Sequence, residues 1–495
     1  MKFSNAFTNI VPLLLIFTVL FGCGEQALDE EPRTFLSKNA IFSSKEGANA
    51  ATLGVYEPLG TDNMYGWWLL GCLEMTSDYI YGRGSQAPIG IYSWDATAVN
   101  RIGNIWVGCY EVISRANLVI SELENNQIDG VDSELSNSLM GEARFLRALS
   151  FFHLVRLFGD VPLRLEPAKL DFALAKSPVA AVYDQIIMDL EFAEQNLPGS
   201  YPTDQLGRAT KWAATSLKSK VYLTLEQWDA AASTAKQVIE SGEFSLLEVT
   251  IPEDFQEIFG PAVLTNSEEI FSIKHARIPG LGFNALWLMH RAGSGYSLGS
   301  NAHAWFGNLE TWLADWIDQI DGPDLRPKDW LYNGTHDEQF LSDEIPMLFK
   351  KFRDTESDPP GNDFPIIRYT EVLLIYAEAE AMANGPTEEA YRYFNQVRRR
   401  AFGRNINTPD PESDVATGLS AQQFQDLILL ERAKEFVMEG KRWYDLLRTG
   451  KTLEVIRASG TNKARIEERH LKWPIPAEEI DNNDALTQQD QNPGW

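Results

Sequence analysis

Helical periodicity runs through this chain, and two hairpins within it narrow most sharply what it can fold into. Apolar residues recur at three-and-four spacing through residues 64–77, 105–123, 141–158 and 179–196, as in helices that bury one face or more. Pro162 and Pro167 end the third of these, and Leu197-Pro198-Gly199 ends the fourth. A hairpin is predicted next: a helix over 211–226, a break near Gln227-Trp228, and a helix over 229–241 before Gly242. A second hairpin covers 370–383, breaks at Asn384-Gly385-Pro386, and continues over 387–401 before Gly403. Ser219, Tyr222, Ala231 and Ala235 in the first copy, with Ala379, Ala390 and Phe394 in the second, fit the tetratricopeptide pattern of contact between paired helices. Repeats need neighbours to bury their faces, and these two lie too far apart for a tandem solenoid. The earlier helices are expected to supply those neighbours, giving a mostly α body assembled from separated parts.

Between the hairpins, over about 245–365, the pattern changes. Glu269-Ile-Phe-Ser-Ile273 reads as a strand, and the stretches 279–282 and 292–301, rich in Gly, Ser and Asn, read as long loops. Trp287, Tyr296 and Trp305 lie in or beside them. Long loops in a compact protein are usually functional or mobile.

The first thirty residues describe export. Lys2, an apolar run over 10–20, and Leu20-Phe21-Gly22-Cys23 ahead of Glu25, Asp29, Glu30 and Glu31 form a signal segment too short to span a bilayer comfortably. Residues 1–22 are read as a signal peptide and 23–495 as one domain, with an N-terminal half of about 23–245 and a C-terminal half of about 265–495. No later apolar run reaches the length of a membrane-spanning helix. With Cys23 at the mature N-terminus, only Cys72 and Cys109 remain, so disulfides do not form the framework; both read as buried thiols. The net charge is −27, or −28 once Lys2 leaves with the signal segment, which argues against nucleic acid or an anionic membrane surface as partner.

A series of motifs, in order, resembles the SusD/RagB outer-membrane lipoproteins. They are Glu142-Ala-Arg-Phe-Leu-Arg-Ala148 running into Leu157-Phe-Gly-Asp-Val-Pro162; Gly207-Arg-Ala-Thr210; Asn266-Ser-Glu-Glu-Ile-Phe271; and Ile367-Arg-Tyr-Thr-Glu-Val-Leu-Leu374. The series continues with Glu431-Arg-Ala-Lys-Glu-Phe436, Gly440-Lys-Arg-Trp-Tyr-Asp-Leu446, Trp473-Pro-Ile-Pro476 with Glu479-Ile480, and Asn492-Pro-Gly-Trp495. The resemblance spans nearly the whole mature chain. It implies a SusD-like helical fold with tetratricopeptide-like pairs, long loops and a few short strands. It also implies Cys23 as the lipidated residue, an anchor in the outer membrane, and a SusC-like TonB-dependent transporter as partner. The implied activity is surface capture and delivery of oligosaccharides or other oligomeric nutrients. Within the motifs, Arg144 and Arg147 share a helix face, as do Glu431 and Glu435, and these read as buried or interfacial ion pairs.

Catalytic patterns are weak throughout. There is no His-Glu-x-x-His and no Cys-x-x-Cys. Gly450-Lys451-Thr452 lacks the first Gly of a phosphate loop. Gly295-Tyr-Ser297-Leu-Gly299 has nucleophile-elbow spacing without strand–turn–helix context. The six His residues are scattered, and His153, in an apolar helix, reads as a hydrogen-bonded core residue. Asp315, Asp318, Asp321 and Asp324 lack calcium-loop spacing. No catalytic residue, metal or cofactor is assigned. Glycosidase carboxylates cannot be picked out from 70 acidic residues, so a secreted helical glycoside hydrolase and a tetratricopeptide scaffold for protein partners remain as alternatives.

The better site candidates are aromatic loops, since a flat ring offers a sugar its apolar face while guanidinium and amide groups read hydroxyl edges. Tyr79, Tyr81 and Arg83 precede Gly84-Ser85, with Tyr92, Trp94 and Asn100 following. The resemblance puts a ligand face on this segment: Trp94 for stacking, Arg83 and Asn100 for hydrogen bonding, Tyr81 beside them. Trp287, Tyr296 and Trp305 would complete the platform from the distal loop. Trp67, Trp68, Trp312 and Trp316 read as helix packing. The acidic balance disfavours polyanionic glycans unless a local Arg/Lys patch exists.

Overall fold

A computed structural model describes residues 38–167, 173–299, 301–332 and 337–495. Cys23 and the signal segment lie outside the described residues.

The principal elements follow from local chemistry. Helix α1 (Lys45–Leu53) is capped by Ser44, whose Oγ accepts from Gly47 N, and α2 spans Trp68–Met75. Strand β1 is Ile80–Gly82. Helix α3 (Ala96–Asn125) is thirty residues long; its start, well ahead of Ile105, is set by Asp95, whose carboxylate accepts from Ala98 N. Asp132 does the same for α4 (Ser133–Phe158), accepting from Leu135 N. Then come α5 (Val179–Asn196), α6 (Lys211–Thr224), capped by Thr210, and α7 (Trp228–Glu240). Strands β2 (Glu269–Ile273), β3 (Trp305–Gly307) and β4 (Phe364–Arg368) precede α8 (Tyr369–Asn384) and α9 (Glu388–Ala401). Helices α10 (Ala421–Glu435) and α11 (Arg442–Arg448) follow.

Each helix from α3 to α9 packs on the next, and α7 lies directly on α8. The two hairpins are therefore neighbours in space although a long insertion separates them in the chain. The earlier helices supply neighbours at one end of the stack, as expected, and the hairpins also bury each other's faces. The insertion leaves after α7 and returns through β4, which pairs antiparallel with β2.

The motif residues are structural. Arg147 holds Asp189 with two hydrogen bonds of 2.8 and 2.7 Å. Arg208 reaches Glu142, itself bonded by the Tyr56 hydroxyl, so two distant motifs meet on one carboxylate. Gly207, at φ +90°, lets the chain pass so closely that a Cβ there would lie 2.6 Å from the Lys274 side chain. Under α8 and α10 lies a buried ionic core. Arg400 and Arg368 share Glu268 and Glu435, Arg326 pairs with Glu431, Glu435 and Asp324, and Lys351 pairs with Glu439. His153 is bracketed by the hydroxyls of Tyr65 (2.7 Å) and Tyr444 (2.8 Å), and burial holds its pKa well below the usual value. Cys72 and Cys109 are free, buried thiols; burial pushes Cys72 up to about 12.

Candidate functional site

A three-residue ladder joins the two loops singled out from sequence. Strands β1 and β3 pair antiparallel, with Ile80 opposite Gly307, Tyr81 opposite Phe306 and Gly82 opposite Trp305. The pairing continues outward as Arg83 N donates to Ala304 O at 2.8 Å, and the distal loop closes on itself through Ala302 N to Trp287 O (2.8 Å) and His303 N to His290 O (3.0 Å). Alternation across a strand sends successive side chains to opposite sides. Trp305 accordingly points inward and is fully buried, its indole N–H donating to Gln86 at 2.7 Å. It lies so close to α2 that a Cβ on Gly71 would sit 2.4 Å from the ring. Trp305 supports the loop from beneath and in this conformation offers no face to a ligand.

Tyr81, Arg83 and Trp287 come together at this ladder. The Tyr81 ring lies 5.8 Å from Phe306 and 4.9 Å from the Lys463 ammonium. Burial raises the Tyr81 phenol to about 12 and lowers Lys463 to about 7. Arg83 is exposed and meets His303 across the loop. Burial, then the charges of Arg83 and Arg291, depress the His303 pKa. Trp287 is half-buried.

The remaining candidates sit differently. Asn100 is exposed on the second turn of α3, one residue before Arg101. Tyr296 packs into the distal loop: its hydroxyl donates to Asp337 at 2.9 Å, accepts from Lys350 at 3.2 Å, and its ring meets Tyr332. Trp94 stacks on Trp495 at 5.2 Å and 13°, meets His470 and Trp473 edge-on, and donates to Ile89 O at 3.1 Å. It belongs to a clasp that fixes the loop before α3 to the C-terminus, and the C-terminal signature supplies the other half of that clasp.

Trp68 packs against the core, as read from sequence, and also carries a contact that the sequence did not show. Trp67 and Trp68, assigned to helix packing, are half-buried and lie 5.5 Å apart at the start of α2. The Arg101 guanidinium lies over the Trp68 ring at 4.6 Å, with hydrogen bonds to the carbonyl and hydroxyl of Ser85. Just upstream, Asp62 accepts from Asn284 of the distal loop at 3.0 Å, tying the α2 turn to the same face. Nothing in a Trp-Trp pair at a helix start separates a packed ring from a partly presented one. Several buried polar atoms here have no hydrogen-bond partner: the indole nitrogens of Trp67 and Trp287, Tyr81 Oη, Asn301 Oδ1 and His303 Nδ1. Unpaired buried polar groups are costly, and water or a ligand's hydroxyls would satisfy them. A cleft of about 380 Å³ between α1 and β2 has Thr61 and Leu281 in its lining, close in the chain to the Asp62–Asn284 bond. Among the described residues, no three His, Cys, Asp or Glu side chains converge as a metal site requires.

These features define a helical protein whose two aromatic loops are pinned together by a short ladder. Comparison with known proteins agrees with that class. The SusD family model matches residues 330–495, and a second model, described as starch-binding associating with outer membrane, matches 28–223. A SusD-like protein of Formosa agariphila is 26% identical over 99% of both chains. A SusD homologue of Bacteroides thetaiotaomicron superposes with a TM-score of 0.78 at 25% identity, covering 95% of this chain and all of that one. A laminarin-binding SusD-like protein shares the fold, with a TM-score of 0.74 at 23% identity over 92% of this chain and all of the other. The chain belongs to the SusD/RagB family.

Proposed function

We propose that this protein captures oligosaccharides at the cell surface on the face formed by Trp68, Arg101, Arg83 and Trp287, and delivers them to a SusC-like TonB-dependent transporter. The observation that carries the reading is the Trp68 ring beneath the Arg101 guanidinium, beside a ladder that gathers further aromatic and donor groups. Such a surface matches the two-sided chemistry of a sugar ring and needs no tuned acid or base. Family membership supports glycan capture, as does the laminarin binding of a relative in fold. Among the described residues no helix is long and apolar enough to cross a membrane. The Leu20-Phe21-Gly22-Cys23 motif supports attachment through Cys23, with residues 1–22 removed as signal and 23–495 acting as one domain.

A glycan array and calorimetry on the chain lacking residues 1–23 test capture: a specific oligosaccharide should bind without being converted, and Trp68→Ala should weaken it about tenfold. Turnover of any bound glycan would instead favour hydrolysis. Protease treatment of intact cells tests location, since a protected protein would mean a periplasm-facing anchor. Co-purification of a β-barrel transporter from detergent-solubilised outer membranes tests the partner.

A further inference from the structure

We infer that the ligand is negatively charged: an oligosaccharide carrying carboxylate or sulfate groups. The inference rests on the capture reading above and adds the substrate class. Although the whole chain carries −27, its loop face has the opposite character. Most arginines in the described residues hold a carboxylate, as Arg147, Arg208 and Arg400 do. Arg83, Arg101 and Arg291 do not; of the other arginines outside any ion pair, Arg156 is packed against Phe152 and Tyr444 and Arg457 bonds the Ile466 carbonyl, away from these loops. The hydrogen bonds of the first three run to His303, to the carbonyl and hydroxyl of Ser85, and to the Phe340 carbonyl, and none runs to an acid.

Two of the three meet at His303. Arg83 contacts the His303 ring, and Arg291, whose backbone pairs with Ala302, also acts on His303 through its charge. Arg101 is tied to Ser85, two residues from Arg83. The nearby acids form no ion pair with the three arginines: Asp95, close enough to act on the Arg101 charge, caps α3 through Ala98 N, Glu310 lies toward Tyr81, and Asp62 accepts from Asn284. Each guanidinium has five N–H donors, so each retains donors in a fork that matches carboxylate or sulfate oxygens. A neutral glucan would cover these charges without answering them, and desolvating an uncompensated charge is expensive. An acidic sugar lying at the edge of Trp68 would meet the Arg101 guanidinium that covers the ring. Positive charge gathered at one face of an acidic protein also steers anions there and away from the remaining surface.

The test is calorimetry on the chain lacking residues 1–23 with three probes of equal length: laminarin, alginate and carrageenan oligosaccharides. Either the uronate or the sulfated probe should bind at least tenfold tighter than the neutral glucan, and which one does so distinguishes carboxylate from sulfate. Its affinity should fall between 20 and 300 mM NaCl as screening sets in. Arg83→Gln, at an exposed position where folding is not at stake, should lose most of that preference, and Arg83→Lys should restore part of it. A neutral glucan bound as tightly as the charged probes and insensitive to salt would overturn the charge inference and leave capture standing. Failure of every probe, followed by failure of a broad neutral and charged array, would overturn both.

Discussion

Single side chains here divide into those that present a surface and those that hold it in place, and mutation should separate them. Trp68 is half-buried under Arg101, so Trp68→Ala should remove about 1–2 kcal/mol of ligand binding while moving the melting temperature little. Trp305 is its opposite. It is fully buried against Gly71 and bonded to Gln86, and Trp305→Ala should cost about 3–5 kcal/mol of stability through the cavity it leaves, read by denaturant unfolding. Trp94 should behave more like Trp305 than like Trp68. Its indole sits between Trp495, His470 and Trp473, and Trp94→Ala should lower stability by roughly 2–3 kcal/mol from lost burial and ring contacts. A Trp94→Ala protein with unchanged melting and abolished glycan binding would reverse that assignment.

At the scale of elements, the site depends on pairing between two very short strands. A ladder of three residues has little stability alone, and it persists because Trp305, on β3, is wedged against α2. Gly71→Ala should force the ring away and cost about 1–3 kcal/mol through overpacking, with amide exchange accelerating first at residues 80–82 and 305–307. Equal acceleration across the helical stack would show instead that the ladder is not a separate weak point. The same ladder shows why sequence revealed one level of structure and not the next. Helices α5 to α9 were readable to within two residues because apolar spacing repeats over many turns, and β2 was readable as a five-residue apolar run. Strands β1 and β3 are too short to show alternation, and they pair across more than two hundred residues of chain. Aromatic loops marked Tyr81, Arg83 and Trp287 as candidates. Which aromatic was sealed below the surface, and which arginines lacked an acid, depended on contacts that only folding creates.

Across the whole molecule, the buried ionic core ties together parts of the chain that the sequence keeps far apart. Arg442 near the C-terminus holds Asp78 with two bonds of 2.9 Å, and Gly440 N donates to Glu74 at 2.6 Å. Arg326 and Arg368 join the insertion to Glu435 on α10. Removing Arg442 leaves Asp78 an uncompensated buried charge, worth about 3–5 kcal/mol, and because that pair joins the N-terminal half to the C-terminal one, both halves should unfold together. The direction with pH follows from the shifts. Burial alone would raise Glu435, but Arg400, Arg368, Arg326 and Lys351 outweigh it and hold the carboxyl down to about 2. Burial would likewise raise Asp78, Glu431 and Glu439, and their arginine partners, with Lys351 also beside Glu439, keep them low. Groups depressed in the folded state contribute stability that is present above the unfolded carboxylate pKa, near 4, and is lost as pH falls toward the folded value. Glu74 runs the other way: burial raises it to about 7, so its contribution is full below about pH 4 and disappears as pH rises through 7. Stability should therefore peak at about pH 5, where the depressed carboxylates are ionised and Glu74 is still largely protonated, and collapse in one acid transition as pH falls below about 4. Far-UV and near-UV circular dichroism should trace that transition together, because no half can shed its carboxylate charges without breaking the core of the other. Two separated acid transitions would mean that the halves fold independently and that the ionic core is only their seam.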